Sequence, residues 1–195
     1  MFNKLFFIAV ALLLFASCKK TRGCTDSEAL NYNPDAAKDD RSCYYYWIGQ
    51  NYGGGKVFYI DITKKHGLIA AHNDLSGTKW GDPGTLVVGA DGTNVGTGYQ
   101  NTIDISNAFS TPTAASVCLD YDTLGFDDWY LASSEEMKGL HLAFGSLGQG
   151  GLGSGYYWTS SEVDASNAYQ VMGAKKTIVS FSKGGVYAVR PIRSF

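Results

Sequence analysis

The chain has 195 residues and a formal net charge of −2 at neutral pH, with 16 basic and 18 acidic side chains. This balance argues against general nucleic-acid binding, which needs a basic surface. The length allows one domain of ordinary size with short additional segments, and it excludes two large domains.

The N-terminal segment has the pattern of a bacterial lipoprotein signal. Lys4 supplies a positive charge, an apolar run extends from Leu5 to Phe15, and the small residues Ala16 and Ser17 precede Cys18. The run is shorter than the roughly 20 apolar residues that a transmembrane helix needs. An ordinary secretory signal with an unrelated cysteine is the alternative interpretation.

The lipoprotein interpretation divides the start of the chain into two segments. It predicts a signal peptide over residues 1–17, acyl chains on Cys18 and a short tether over residues 18–23. Lysines rather than Asp follow Cys18 directly, which favours outer-membrane sorting. More than one acyl chain gives a stable anchor. We therefore expect a lipid-anchored protein of the bacterial cell envelope, attached to the outer membrane and exposed at the surface.

Cysteine spacing predicts one disulfide bond. Cys24 and Cys43 frame a short loop in a chain that is exported to an oxidising compartment. Closing such a loop is worth about 3 kcal/mol in the chain-entropy model. Cys118 is left without a partner, and its place on an apolar helix face predicts a buried small hydrophobe rather than a nucleophile.

Residues 24–43 are dense in oxygen-bearing side chains and turn formers. Their spacing is not that of an EF-hand loop, so structural turns without a metal are the preferred interpretation and Ca²⁺ binding is the alternative. No other metal or cofactor is predicted. The candidate oxygen ligands are Asp26, Asn31, Asn33, Asp35, Asp39 and Asp40.

From residue 44 onward, short apolar runs and frequent glycines predict an α+β fold. Residues 56–61 and 67–71 indicate buried strands. One helix is predicted to start at Thr111-Pro112, and another behind a capping box of Ser133 and Glu136. Residues 168–172, 177–181 and 186–190 then predict three strands of a C-terminal antiparallel β-meander.

No catalytic constellation is evident. Residues 148–153 match a dinucleotide fingerprint by letters, but a predicted helix precedes them where the motif needs a strand, so nucleotide binding is not predicted. His66, His72 and His141 show no zinc spacing. His141 lies on the inner face of the second helix, and the other two are expected at the surface.

A series of short motifs runs in a fixed order through residues 45–195. The motifs are Gly53–Ile60, His66–Ala71, Trp80-Gly81, Asp128–Met137, Tyr157–Glu162 and Val189–Phe195. Together they resemble the C-terminal domain family of the Legionella collagen-like adhesin, a branch of the C-type lectin-like fold. Residues 24–43 resemble a short repeat of bacterial surface proteins.

The resemblance implies one C-type lectin-like domain over residues 44–195, with two short helices, antiparallel sheets and the C-terminal meander. It also implies a surface-displayed binding domain, which in some members is an adhesin for sulfated or acidic polysaccharides. The Glu-Pro-Asn and Trp-Asn-Asp motifs of calcium-dependent lectins are absent from the sequence. Calcium-dependent sugar binding is therefore not expected.

We predict a non-catalytic surface protein that binds an extracellular polysaccharide or protein and reaches the membrane only through its lipid anchor. A structural or assembly component of the envelope and a cryptic enzyme are the alternatives. Ligand contact is predicted in the C-terminal half, because the segment from Ala165 to Phe195 carries basic residues and no acidic one. The predicted contacts run from Trp158 into this segment and are the aromatic side chains and turn lysines Trp158, Tyr169, Lys175, Lys176, Lys183 and Tyr187.

Overall fold

A computed structural model gives the structure of residues 20–147, 152–175 and 177–195. The predicted signal peptide, the acylation of Cys18 and the predicted ligand contact of Lys176 lie outside these residues, as does most of the glycine-rich segment 148–153. The chain forms two units, of which the first ends at Tyr44 and the second comprises Tyr45–Phe195.

The first unit is held by one disulfide bond and by turns. Cys24 and Cys43 are bonded, as predicted. Strand β1 (Arg22–Gly23) pairs in parallel with β2 (Lys38–Asp39). The oxygen-bearing side chains accept backbone N–H groups close to them in sequence, as in the bonds to Asp26, Asn33, Asp39 and Asp40 at 2.9–3.0 Å. Within the described residues, no group of three His, Cys, Asp or Glu side chains is placed to hold a metal ion.

In its described residues, the second unit contains two sheets of five strands each. The first sheet has the order β3-β4-β5-β12-β7, and these strands are Asn51–Tyr52, Gly55–Ile60, Gly67–Ala71, Pro191–Ser194 and Tyr130–Leu131. The second has the order β10-β9-β8-β11-β6, and these strands are Thr177–Ser182, Asn167–Met172, Tyr156–Glu162, Tyr187–Val189 and Leu75–Thr78. Most neighbours are antiparallel, so the predicted α+β class with antiparallel sheets is confirmed.

Three helices are present in the described part of the second unit: α1 (Gly98–Ala108), α2 (Ala114–Leu119) and α3 (Ser134–Leu147). The capping box before α3 is confirmed, since Ser133 N–H donates to Glu136 at 2.7 Å and Glu136 N–H donates to Ser133 at 3.3 Å. None of the helices in the described ranges is long and apolar enough to cross a membrane.

The structure corrects the start of one predicted helix and adds a helix that the sequence did not predict. Helix α2 begins later than predicted, because the Thr113 side chain and Ser116 form the capping box and Thr113, rather than Thr111, is the N-cap. Helix α1 was not predicted at all. Its buried face contains Asn101 and Thr102, which are held by hydrogen bonds instead of apolar packing, so the sequence lacks the apolar period of a helix.

The predicted C-terminal meander is wrong in its third strand. Strands β9 and β10 pair antiparallel along their whole length, as predicted. Strand β11, however, pairs in parallel with β8 through Ala188 and Tyr157, and antiparallel with β6. Val189 is fully buried. A central place in the sheet gives this side chain a buried environment that the outer side of β10 would not provide.

Strand β8 lies between two hydrophobic clusters. Tyr157 packs with the first, which includes Met137 and Phe144 of α3. Trp158 packs with the second, which includes Trp80 and several residues of α1 and α2. Cys118 belongs to the second cluster, is fully buried and is not disulfide-bonded, as predicted, and burial raises the pKa of its thiol well above the usual value.

Candidate functional site

The structure removes Trp158 from the predicted ligand site. Its side chain is 0 % exposed, and its indole N–H donates to the carbonyl oxygen of Thr78 at 2.9 Å. Tyr187 packs edge-on against the ring, with centroids 5.2 Å apart. A fully buried ring cannot stack on a ligand, because stacking needs an accessible π surface.

Lys183 is also a core residue rather than a ligand contact. Its ammonium group is 0 % exposed and is paired with the Glu162 carboxylate. It donates to the carbonyl oxygen of Thr85 at 2.7 Å and lies 4.7 Å from the centroid of the Trp80 ring. The Lys183 and Glu162 pair therefore holds the loop from Thr85 to Val87, whose Val87 N–H also donates to Glu162 at 2.9 Å.

The other predicted contacts are scattered. Lys175 is exposed in the turn between β9 and β10, while Tyr169 and Tyr187 are half-buried. Tyr187 belongs to an aromatic group with Tyr156 and Phe181, at centroid distances of 5.9 and 5.6 Å. None of these residues lines the cleft that we describe next.

A cleft of about 560 Å³ opens on the first sheet. Its volume lies within the range of about 300–1,000 Å³ that is typical of small-molecule sites. We call it the aromatic cleft. It is built from the β4–β5 hairpin, the loop before α1, the first turn of α1, and the ends of β7 and β12. Its lining residues are Tyr59, Asp61, His66, Gly67, Leu68, Val95, Gly96, Tyr99, Tyr130, Ser194 and Phe195.

Tyrosine rings form the accessible walls of the cleft. Tyr59 is 38 % exposed and Tyr99 is 52 % exposed. Tyr99 rests edge-on against the buried ring of Tyr130, with centroids 5.8 Å apart, so its position is supported from below. Exposed aromatic faces on a supported base are able to stack on flat or apolar ligand groups at a low cost in side-chain entropy.

Phe195 is fixed by its neighbours on both sides. Its backbone exchanges hydrogen bonds with Gly67 at 3.1 and 3.2 Å. Its ring packs against Tyr46 and Tyr52, at centroid distances of 4.4 and 5.4 Å. A Cβ atom at Gly67 would collide with the carbonyl oxygen of Tyr59 and lie 2.7 Å from the Phe195 ring. Only glycine therefore lets the ring lie flat across this strand.

The base of the cleft is a buried polar network around Glu136. The carboxylate accepts N–H groups from Gly96 at 2.8 Å and from Ser133 at 2.7 Å, and the Tyr130 hydroxyl hydrogen-bonds to it. Burial raises the pKa of Glu136, and these hydrogen bonds oppose that rise. Burial and the neighbouring Glu136 charge raise the pKa of Tyr130. The network fixes the loop and the ring that bound the cleft.

The polar rim lies in the β4–β5 turn. Asp61 accepts the N–H of Thr63 at 3.0 Å and its hydroxyl at 2.7 Å. The hydrogen bond from the Thr63 side chain lowers the pKa of Asp61, so this carboxylate is ionised at neutral pH. His66, at the other end of the turn, is exposed. The rim can therefore both accept and donate hydrogen bonds to a ligand.

Replacing Glu136 with glutamine is expected to lower the free energy of unfolding by about 1–3 kcal/mol. A glutamine side chain has one acceptor oxygen, so either the part-buried N–H of Gly96 or the buried N–H of Ser133 would lose its bond. Urea unfolding measures the effect. The matched control is Glu135→Gln, because Glu135 makes a half-exposed pair with Lys138 and its loss should cost less than about 1 kcal/mol.

The same variant tests the direction of the Glu136 pKa. A carboxyl group whose folded-state pKa is raised contributes stability below its unfolded pKa, and this contribution is lost as the pH rises through the folded pKa. Glutamine does not titrate. The difference in unfolding free energy between the wild type and Glu136→Gln should therefore be larger below the ordinary pKa of 4.5 than at neutral pH. If the two proteins differed in unfolding free energy by the same amount at acidic and at neutral pH, the raised pKa of Glu136 would be contradicted.

Sequence reasoning missed the aromatic cleft, although two signals pointed to parts of it. The hairpin motif and the capping box of Ser133 and Glu136 were both recognised, and each supplies one side. The sequence contains no sign that Tyr59, Tyr99 and Phe195 meet, because they come from three separate elements.

Comparison with known proteins shows a likeness of fold to a solved structure. No family model and no curated protein matches the chain. A solved structure, a fimbrial protein from Bacteroides ovatus ATCC 8483, is similar with a TM-score of 0.54 and 15 % identity, over 83 % of this chain and 50 % of that chain. The chain thus spans about half the length of that structure. At this identity the likeness concerns the fold, which is α+β with mostly antiparallel sheets.

Proposed function

We propose that this protein is a lipid-anchored bacterial surface protein whose second unit binds an extracellular saccharide in the aromatic cleft without chemical conversion. The observation that carries the proposal is the pair of exposed tyrosine faces, Tyr59 and Tyr99, beside Phe195 in a cleft of about 560 Å³. Of the four tryptophans, Trp80, Trp129 and Trp158 are fully buried in the core, whereas Trp47, outside the cleft, is 60 % exposed. The cleft therefore differs from the core in leaving rings accessible.

The lining of the cleft suits a sugar ring. The apolar face of a pyranose can stack on tyrosine, and its hydroxyl groups can bond to Asp61, His66 and Ser194. The predicted preference for acidic polysaccharides depended on lysines such as Lys183, which is buried in an ion pair. Since Asp61 brings a negative charge to the rim, we propose that the sugar units held inside the cleft are uncharged.

The finer fold assignment is part of the proposal. We infer a C-type lectin-like domain of the Legionella collagen-like adhesin family, because the motifs that carry this resemblance form the central elements of the second unit. Tyr157–Glu162 lies within β8, and Val189–Phe195 ends β11 and forms β12. The fold likeness to a fimbrial protein supports a place at the cell surface.

Enzymatic activity is not part of the proposal. Cys118 is fully buried and its thiol pKa is raised by burial, which makes it a poor nucleophile at neutral pH. The buried carboxylate Glu136 is occupied by three hydrogen bonds that hold structure together. Through these contacts Glu136 positions the Gly96 loop and the Tyr130 ring that bound the cleft.

The test is a glycan array with purified full-length protein, followed by titration of the best saccharide. Tyr99→Ala should weaken binding at least tenfold, since loss of an aromatic contact at the centre of a site costs more than about 1.4 kcal/mol. Tyr169→Ala is the matched control, because Tyr169 is a half-buried tyrosine outside the cleft. If Tyr169→Ala lost binding and Tyr99→Ala did not, the aromatic cleft would be excluded as the binding site and the predicted site on the C-terminal strands would be favoured.

The lipid anchor needs a separate test. Metabolic labelling with a fatty-acid analogue should mark the wild-type protein and should not mark Cys18→Ala, because the thiol carries one of the acyl chains. Equal labelling of both proteins would contradict the anchor without affecting the cleft.

A further inference from the structure

The second sheet ends in a strand that is paired on one side only. Strand β10 (Thr177–Ser182) pairs antiparallel with β9 along all six residues, and it is the last strand in the order β10-β9-β8-β11-β6. Within the described ranges no strand pairs with its outer side. Its outward N–H and C=O groups therefore form a ladder that another strand can complete.

The other edges of the two sheets are protected in ways that β10 is not. Strands β3 and β7 have two residues each, and β6 has four residues with an irregular register against β11. Natural edges are blunted by short length, charge, proline or bulges. Strand β10 is longer, its sequence Thr-Ile-Val-Ser-Phe-Ser has neither charge nor proline, and its register with β9 is regular.

We propose that β10 pairs antiparallel with β10 of a second copy of this chain, so that the two second sheets join into one continuous sheet. Two identical strands related by a twofold axis bring the same surface together, which works only when like charges do not face each other. The absence of charge along β10 meets this condition. No residue of β10 lines the aromatic cleft, so the proposal goes beyond ligand binding.

The side-chain pattern selects the register. A twofold axis perpendicular to the sheet places the same face of both copies on the same side of the joined sheet. Residues of the two β10 strands that lie opposite each other must therefore belong to the same face. Phe181 packs against the cluster around Trp158, Ile178 packs against the other cluster, and Val179 shares the face of Phe181. In one register, Val179 lies opposite Phe181 of the second copy, and such pairs of a β-branched and an aromatic residue stabilise sheets. This register places Ser180 on the twofold axis.

Cysteine cross-linking in the full-length protein tests this pairing. Ser180 is exposed, Cys24 and Cys43 are bonded, and Cys118 is buried, so Ser180→Cys adds an accessible thiol. A short bis-maleimide reagent should link two copies into a dimer that requires the new cysteine. The matched control is Ser76→Cys, an exposed serine on the opposite edge strand β6, which the reagent should not link into a covalent dimer because this edge lies away from the proposed contact.

A second variant separates pairing from folding. Ser180→Lys places a charge on the axis, where two lysines would face each other. It should convert a dimer to a monomer in sedimentation while the far-ultraviolet circular dichroism spectrum stays that of the wild type. Dimers of Ser180→Lys, or a Ser180→Cys protein that links no better than Ser76→Cys, would overturn the proposal. Cross-linking of Ser180→Cys to a protein of different mass would also overturn it, because the partner would not be a second copy.

Discussion

Replacing Lys183 with alanine is expected to lower the free energy of unfolding by about 3–5 kcal/mol. The lysine is the buried partner of Glu162, and removal of one member leaves an uncompensated charge in the interior. The carbonyl oxygen of Thr85 and the ring of Trp80 lose their contact with the ammonium group as well. Unfolding in urea, followed by tryptophan fluorescence, measures the effect.

The control for this prediction is Lys79→Ala. Lys79 pairs with Asp82 at 2.6 Å, but the side chains are 32 % and 58 % exposed, so this pair should contribute less than about 1 kcal/mol. A Lys183→Ala protein that is as stable as the wild type but binds saccharide poorly would contradict the structural role. It would restore Lys183 to the ligand site.

Replacing Trp158 with alanine should cost about 3–5 kcal/mol, the range expected when a large buried aromatic side chain is removed and a cavity remains. Trp158 fills the second cluster next to Ala168 and Val189, and its indole N–H satisfies the Thr78 carbonyl oxygen. Both contributions disappear in the variant. Thermal unfolding of the full-length protein provides the measurement.

Tyr99→Ala serves as the comparison for Trp158→Ala. Tyr99 is 52 % exposed and contacts Tyr130 at its edge, so its loss should change the unfolding free energy by less than about 1 kcal/mol. We therefore expect Trp158→Ala to lower stability and Tyr99→Ala to lower saccharide affinity. A small effect of Trp158→Ala on stability would show that this ring is not a core residue.

Buried aromatics and accessible ones have different roles in this fold. The fully buried tryptophans lie between elements, where they exclude water from the core. In the cleft, Tyr59 and Tyr99 stay partly exposed, and the rings of Tyr99 and Phe195 rest against Tyr130 and Tyr46. Ligand binding in the cleft and pairing through β10 involve separate residues, so variants of one should leave the other unchanged.

Features that depend on neighbours along the chain could be predicted from the amino-acid sequence. The capping box of Ser133 and Glu136 spans three residues, and β5 covers the predicted range Gly67–Ala71. The disulfide between Cys24 and Cys43 and the burial of Cys118 followed from cysteine number and local polarity. Such features are predictable because their energies come from short-range hydrogen bonds and side-chain periodicity.

Which polar and aromatic residues face solvent depends on how distant parts of the chain pack together. Lys183 looks like a turn lysine in sequence, but Glu162, 21 residues earlier, neutralises it inside the core. Strand β11 joins β8 rather than β10 because Val189 needs burial. The cleft brings together Tyr59 and Tyr99, which are distant in sequence. These outcomes depend on long-range packing and desolvation, which local patterns do not contain.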